Sequence, residues 1–168
     1  MRYKVILLLI SFLAIGAQST DCGQKKEIKM DAQPIVVKVQ CKGDDQCLFE
    51  GKDIFIDISL YNDSKEEVRF PLEYIKKRGP IIKLIDARSK AETFVPTHIA
   101  DWDLKEKYTV IGPAQSISLE WVLTADDLDQ FGSNVDVFAE VTIMADILVG
   151  TRKVEFKGSD TRHIVKKK

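Results

Sequence analysis

The sequence is poor in the side chains that carry most enzyme chemistry. Among 168 residues it has two histidines, His98 and His163, and three cysteines, Cys22, Cys41 and Cys47. That set lacks the second cysteine pair or the extra imidazoles of a structural zinc site, so no metal is expected. A nucleophilic Ser or Cys would have only those two imidazoles as its base. There is no Gly-x-Ser-x-Gly elbow, and His163 falls in what reads as a terminal tail. Phosphate-cradling glycine loops are missing too, so no cofactor is expected. No pair of acids is singled out for glycoside hydrolysis.

Long apolar runs are equally scarce. The longest is Val5 to Leu13, interrupted by one Ser, and it falls short of the ~20 residues needed to span a bilayer. No membrane anchor is expected. A surplus of one charge is lacking: 25 Lys and Arg face 26 Asp and Glu, which gives no electrostatic reason to bind nucleic acid. Internal repeats, low-complexity stretches and long amphipathic helices are absent. One short helical turn is expected, where Thr124 caps a segment running through Asp127 into Leu128.

What is present begins with an export signal. Arg2 and Lys4 precede the apolar run, and Ala17, Gln18 and Ser19 give the small-x-small pattern a signal peptidase reads. Residues 1–19 are therefore read as a signal peptide and 20–32 as a polar lead-in. Residues 33–158 form the folded domain, and 159–168 a basic tail ending in Lys166, Lys167 and Lys168. Loss of Arg2 and Lys4 with the signal leaves 23 basic residues against 26 acidic ones, and the net charge moves from −1 to −3. The destination is secreted or periplasmic, where disulfides persist. Lys42 to Gln46 reads as a tight turn that brings Cys41 to Cys47, the expected bridge. Pairings of Cys22 with either are the alternatives.

Period-two alternation sets the fold class. Ile54, Ile56, Ile58 and Leu60 share one face of a strand, with Asp57, Ser59 and Tyr61 on the other. Ile117, Leu119, Trp121 and Leu123 repeat the pattern, which assigns Trp121 to the core, as do Val135, Val137, Ala139, Val141 and Ile143. Shorter strands are expected at Ile35 to Cys41, Val68 to Phe70, Ile81 to Ile85, Tyr108 to Ile111 and Arg152 to Phe156. Turn chemistry separates them at Asn62-Asp63-Ser64, Arg78-Gly79-Pro80, Gly112-Pro113 and Gly132-Ser133-Asn134. About seven or eight short strands with little helix predict an all-β, immunoglobulin-like antiparallel β-sandwich. A closed barrel fits less well, because the strand and loop lengths are uneven.

Four stretches are similar to small immunoglobulin-like domains of exported bacterial proteins. They are Ile54 to Ser64, Ile81 to Asp86, Ile111-Gly112-Pro113-Ala114-Gln115-Ser116-Ile117, and Phe131-Gly132 ahead of Val135 to Ile143. In that family a strand ends in an Asn-x-Ser turn, a later strand follows a Pro-Gly corner, and a Gly precedes the returning strand. The layout, over roughly residues 52 to 157, also resembles the Bacillus-type proteinase inhibitors. The loop motifs of chagasin-type inhibitors are absent, and no functional residue is carried over.

The candidate site is the long segment from Pro96 to Tyr108. His98, Asp101 and Asp103 flank Trp102 there, a set that could meet a divalent ion or simply form a polar loop around one aromatic anchor. Trp102 either projects as an interface residue or folds inward to plug the end of the sandwich. Asp127, Asp129 and Gly132 only superficially suggest a calcium loop, since Phe131 and Phe138 occupy ligand positions. Asn62-Asp63-Ser64 is formally a glycosylation acceptor but reads more simply as a turn. Export, a β scaffold and an aromatic loop without a reactive constellation predict a non-catalytic module binding another exported protein, with inhibition of an exported enzyme as the sharpest version. A carbohydrate- or small-ligand-binding domain is the second expectation, and an enzyme of unrecognised type the third.

Overall fold

Alternating side chains become alternating faces. In the computed structural model, which describes residues 33–167, Ile54, Ile56, Ile58 and Leu60 are buried while Phe55 between the first two is exposed. The expected signal peptide, the 20–32 segment and Cys22 lie outside the described residues.

Ten strands occur among the described residues: β1 Ile35–Cys41, β2 Leu48–Phe49, β3 Ile54–Asn62, β4 Val68–Phe70, β5 Ile81–Asp86, β6 Glu92–Val95, β7 Thr109–Ile111, β8 Ser116–Leu123, β9 Asp136–Val149 and β10 Arg152–Lys166. They form two sheets whose inner faces share one core, an all-β sandwich-like fold. The smaller sheet has the order β1-β3-β8, with Val39, Ile58 and Leu119 side by side across it. In the larger sheet β10 pairs with β9 along nearly its whole length, and β2 adds to β10 in parallel, the exception to the antiparallel pattern.

The far side of β9 is divided. β5 takes Val137 to Thr142, and β4 takes Leu148 and Val149. Residues 143–147 between them have no strand partner on that side. The chain bridges the interval with helix α1, Leu72–Arg78, which joins β4 to β5 and buries Leu72 and Ile75. Strands β6 and β7 pair outside β5 and β4.

Two features close the side of the sandwich where β1 meets β10. The Asp160 carboxylate accepts the Val39 N–H at 2.8 Å, and Arg162 Nε donates to the Val39 carbonyl, so side chains of one sheet stand in for a missing strand beside the other. Gly158 permits the approach, because a Cβ there would lie 2.6 Å from both Val37 Cγ2 and Phe156 Cζ.

Several boundaries differ from the sequence expectation. The region read as a basic tail from residue 159 is strand as far as Lys166. Its polar character reflects one solvated face and an inner face that contributes Gly158, Asp160 and Arg162 to closure. β9 continues past Ile143 to Val149. The two-residue β2, the edge strand β6 and α1 lie outside the sequence expectation. The Cys41–Cys47 bridge is present, with Cα atoms 5.4 Å apart, and ties the end of β1 to the start of β2. The Thr124 cap forms as expected: its Oγ1 accepts the Asp127 N–H, while Asp127 Oδ2 accepts from the Thr124 N–H, starting helix α2, Ala125–Asp129.

Candidate binding surface

The segment after β6 is held at both ends before it projects. His98 donates its N–H to the Arg78 carbonyl at the end of α1, 2.8 Å away. Its ring leans on Trp121, with centroids 5.5 Å apart. Beyond it the chain makes one 3₁₀ turn, Trp102–Glu106, whose first N–H groups need acceptors. Asp101 supplies one, its Oδ1 accepting from the Asp103 N–H at 3.0 Å.

This local order sends two large apolar side chains outward. Ile99 is fully exposed and Trp102 is 74% exposed, so Trp102 does not plug the sandwich. It is steadied from one side: the Lys105 ammonium sits 3.6 Å from the indole centroid and 5.1 Å from the Tyr74 ring of α1. Trp121 lies on the inward side of β8, half-buried against the core.

The candidate metal set is not assembled. Asp101 is engaged as a cap and His98 is turned to Trp121, and among the described residues no three His, Cys, Asp or Glu side chains converge to hold an ion. His163 is not in a tail but on β10, stacked on Phe138 and 2.7 Å from Asp136.

Asn62 also has a defined role. Its side chain is fully buried, donates to the carbonyls of Glu66 and Ile111, and accepts from the N–H and hydroxyl of Ser64. The Asn-x-Ser triplet is thus a turn whose amide is fully used.

Beside the projecting loop lies a cleft of about 180 Å³ that sequence reading missed. It opens where β9 lacks a strand partner, over Met144, Ala145 and Asp146. Tyr74 and Arg78 come from α1, Lys105 and Glu106 from the 3₁₀ turn, Tyr108 from just after it, and Lys153 and Glu155 from β10. Burial, followed by the Glu106 charge, pushes the Tyr108 hydroxyl above its ordinary range. A side-chain hydrogen bond to Asp146 raises the Lys153 ammonium. These residues come from four separate segments, so no local pattern could have joined them.

No protein-family model matches the sequence, and no curated protein does. Similar solved structures include the Northeast Structural Genomics Consortium target SoR45, at 10% identity and TM-score 0.42, covering 78% of this chain and 86% of that one. A protein from Archaeoglobus fulgidus aligns at 12% identity and TM-score 0.36, over 78% of this chain and 95% of its own. A β-glucosidase from Listeria innocua aligns at 7% identity and TM-score 0.35, over 80% of this chain but only 16% of the enzyme. Likenesses this low assign the chain no function.

Proposed function

We propose that this protein is an exported, non-catalytic module that binds another exported protein, with the Ile99 to Trp102 projection as its anchor. The observation that carries the reading is the pairing of high exposure with local order. Ile99 and Trp102 stand in solvent on a segment tied to α1 by the His98 N–H, capped by Asp101 and braced by Lys105. An aromatic anchor already held in place loses little freedom on docking, which is what concentrates binding energy in such residues. Asp101 and Asp103 supply a polar rim around it. Export is supported by the Cys41–Cys47 bridge, which belongs to an oxidising compartment, and by the signal-like first 19 residues.

The test uses the mature domain as bait in the exported protein fraction of its own organism, followed by titration of the purified partner in a calorimeter. One stoichiometric partner whose affinity falls at least tenfold with Trp102→Ala and with Ile99→Asp is expected. A partner that binds both variants as tightly as the native domain would place the interface elsewhere, and no partner at all would overturn the reading.

A further inference from the structure

The cleft over Met144 and Asp146 contains charges of two kinds. Some are satisfied within the protein: Lys153 faces Asp146 at 3.4 Å, and the Tyr108 hydroxyl donates to Glu106 at 3.4 Å. Others are not. Among the described residues no carboxylate lies within ion-pair distance of Arg78, and no cation within that distance of Glu155. Both line the cleft, one at the end of α1 and the other on β10. Lys105, also on its wall, contacts aromatic faces and, among the described residues, no carboxylate within ion-pair distance.

A guanidinium and a carboxylate that lack ion partners among the described residues, on one small cleft, form a template of complementary charge. Arg offers a planar fork of donors suited to a carboxylate, and Glu offers acceptors suited to an ammonium. The same cleft is lined by Pro71, Tyr74 and Met144, an apolar surface on which a hydrocarbon or aromatic side chain would rest. A purely anionic ligand would leave Glu155 facing it, and a purely cationic one would meet Arg78. A molecule carrying both charges with an apolar body satisfies each wall. We propose that this cleft binds a small zwitterion of the amino-acid or dipeptide class, its carboxylate on Arg78, its ammonium on Glu155 and its side chain over Tyr74 and Met144.

The site is distinct from the Ile99 to Trp102 projection, so either can fail without the other. The probes are leucine, phenylalanine, Gly-Leu and Gly-Phe, each beside its N-acetylated form, which lacks the ammonium, and its C-terminal amide, which lacks the carboxylate. Amide shifts of the isotope-labelled domain are followed on titration. Free zwitterions are expected to move the resonances of Tyr74, Ala145 and Glu155, with the amino-acid and dipeptide arms telling which length spans the walls. Blocking either end should weaken binding on the order of tenfold, since each removes a charge-assisted contact. Arg78→Gln should abolish the preference for a free carboxylate and Glu155→Gln the preference for a free amine, each leaving the other intact. Glu155 is exposed and Arg78 half-buried, and an unchanged amide spectrum away from the cleft establishes that the variants are folded. Absence of saturable shifts with all four free probes, or equal binding of free and blocked forms, would overturn the proposal.

Discussion

The side-chain amide of Asn62 donates to the main-chain oxygen of Ile111 across 2.8 Å, and so joins a strand of the small sheet to a strand of the large one. Its second hydrogen reaches the Glu66 carbonyl at 2.9 Å. Water cannot replace the Ile111 contact, because that bond is buried and Asn62 is fully buried. Asn62→Ala removes both donors and strands the Ile111 carbonyl, which should cost about 2–4 kcal/mol in chemical denaturation. Asn62→Asp should be no better at neutral pH, since a carboxylate would face two carbonyl oxygens.

The same geometry decides the glycosylation question. A glycan attached at Nδ2 would replace one of the two hydrogens now spent on carbonyls and would have no exit to solvent. Expressed through a eukaryotic secretory pathway, the folded monomer should show no mass change on treatment with an N-glycosidase. A glycan at Asn62 on correctly folded protein would contradict the turn described here.

Gly79 separates two causes of glycine preference. Its φ of 87° and ψ of 158° are conformations essentially limited to glycine, and a Cβ would meet the Trp121 ring at 2.5 Å. Gly132 has nearly the same φ, 85°, with nothing within 4 Å of a Cβ. Gly132→Ala should therefore carry backbone strain alone, about 1 kcal/mol, and Gly79→Ala that strain plus displacement of Trp121, about 2–4 kcal/mol. Thermal melts of the two variants measure the difference. Intrinsic fluorescence should change in Gly79→Ala only.

What could be read from the sequence follows the range of the forces involved. β3 and β8 announce themselves because each buries alternate side chains on one face. The cap at Thr124 is legible because both partners lie within three residues. β2 has two residues and is placed by the adjacent disulfide and by β10, so alternation has no room to show. The second half of β10 hides because its inner side chains close the edge of β1 with a glycine and two charges. α1 is only seven residues long. Its one local signal was the pairing of Pro71 before it with Gly79 after it. In the candidate site, the exposed Trp102 could be named but its direction could not, since that depends on the His98 tie to Arg78. Arg78 and Glu155, on α1 and β10, line one cleft only because the tertiary fold brings those elements together.

The Cys41–Cys47 bridge closes a very short loop. Replacing both cysteines by alanine should lower stability by about 2–3 kcal/mol on chain-entropy grounds. The loss should be local as well as global, because Val165 N–H bonds the Cys47 carbonyl and Lys167 N–H the Phe49 carbonyl. Hydrogen exchange should therefore quicken first at Val165 and Lys167. Exchange that quickened evenly across β9 and β10 would show that the bridge does not hold this corner specifically.

Within that loop, Asp44 gives the fold a pH dependence with a definite sign. Its carboxylate accepts the Leu48 N–H at 2.8 Å and the Gln46 N–H at 2.9 Å, and these bonds, that to Leu48 foremost, hold its pKa below the ordinary Asp range. A carboxyl whose pKa is lowered by folding stabilises the folded state above its unfolded pKa and loses that contribution as pH falls through the folded value. The loop should therefore be indifferent to pH through the neutral range and loosen only in acid, below the ordinary Asp range. The side-chain carboxyl carbon of Asp44, followed by NMR, should titrate below the ordinary Asp range, and the Leu48 amide resonance should move with the same midpoint. Asp44→Asn should remove that midpoint from the Leu48 profile. A Leu48 amide that still titrated in the variant would assign the transition to another carboxylate, Glu50 being the nearest in sequence.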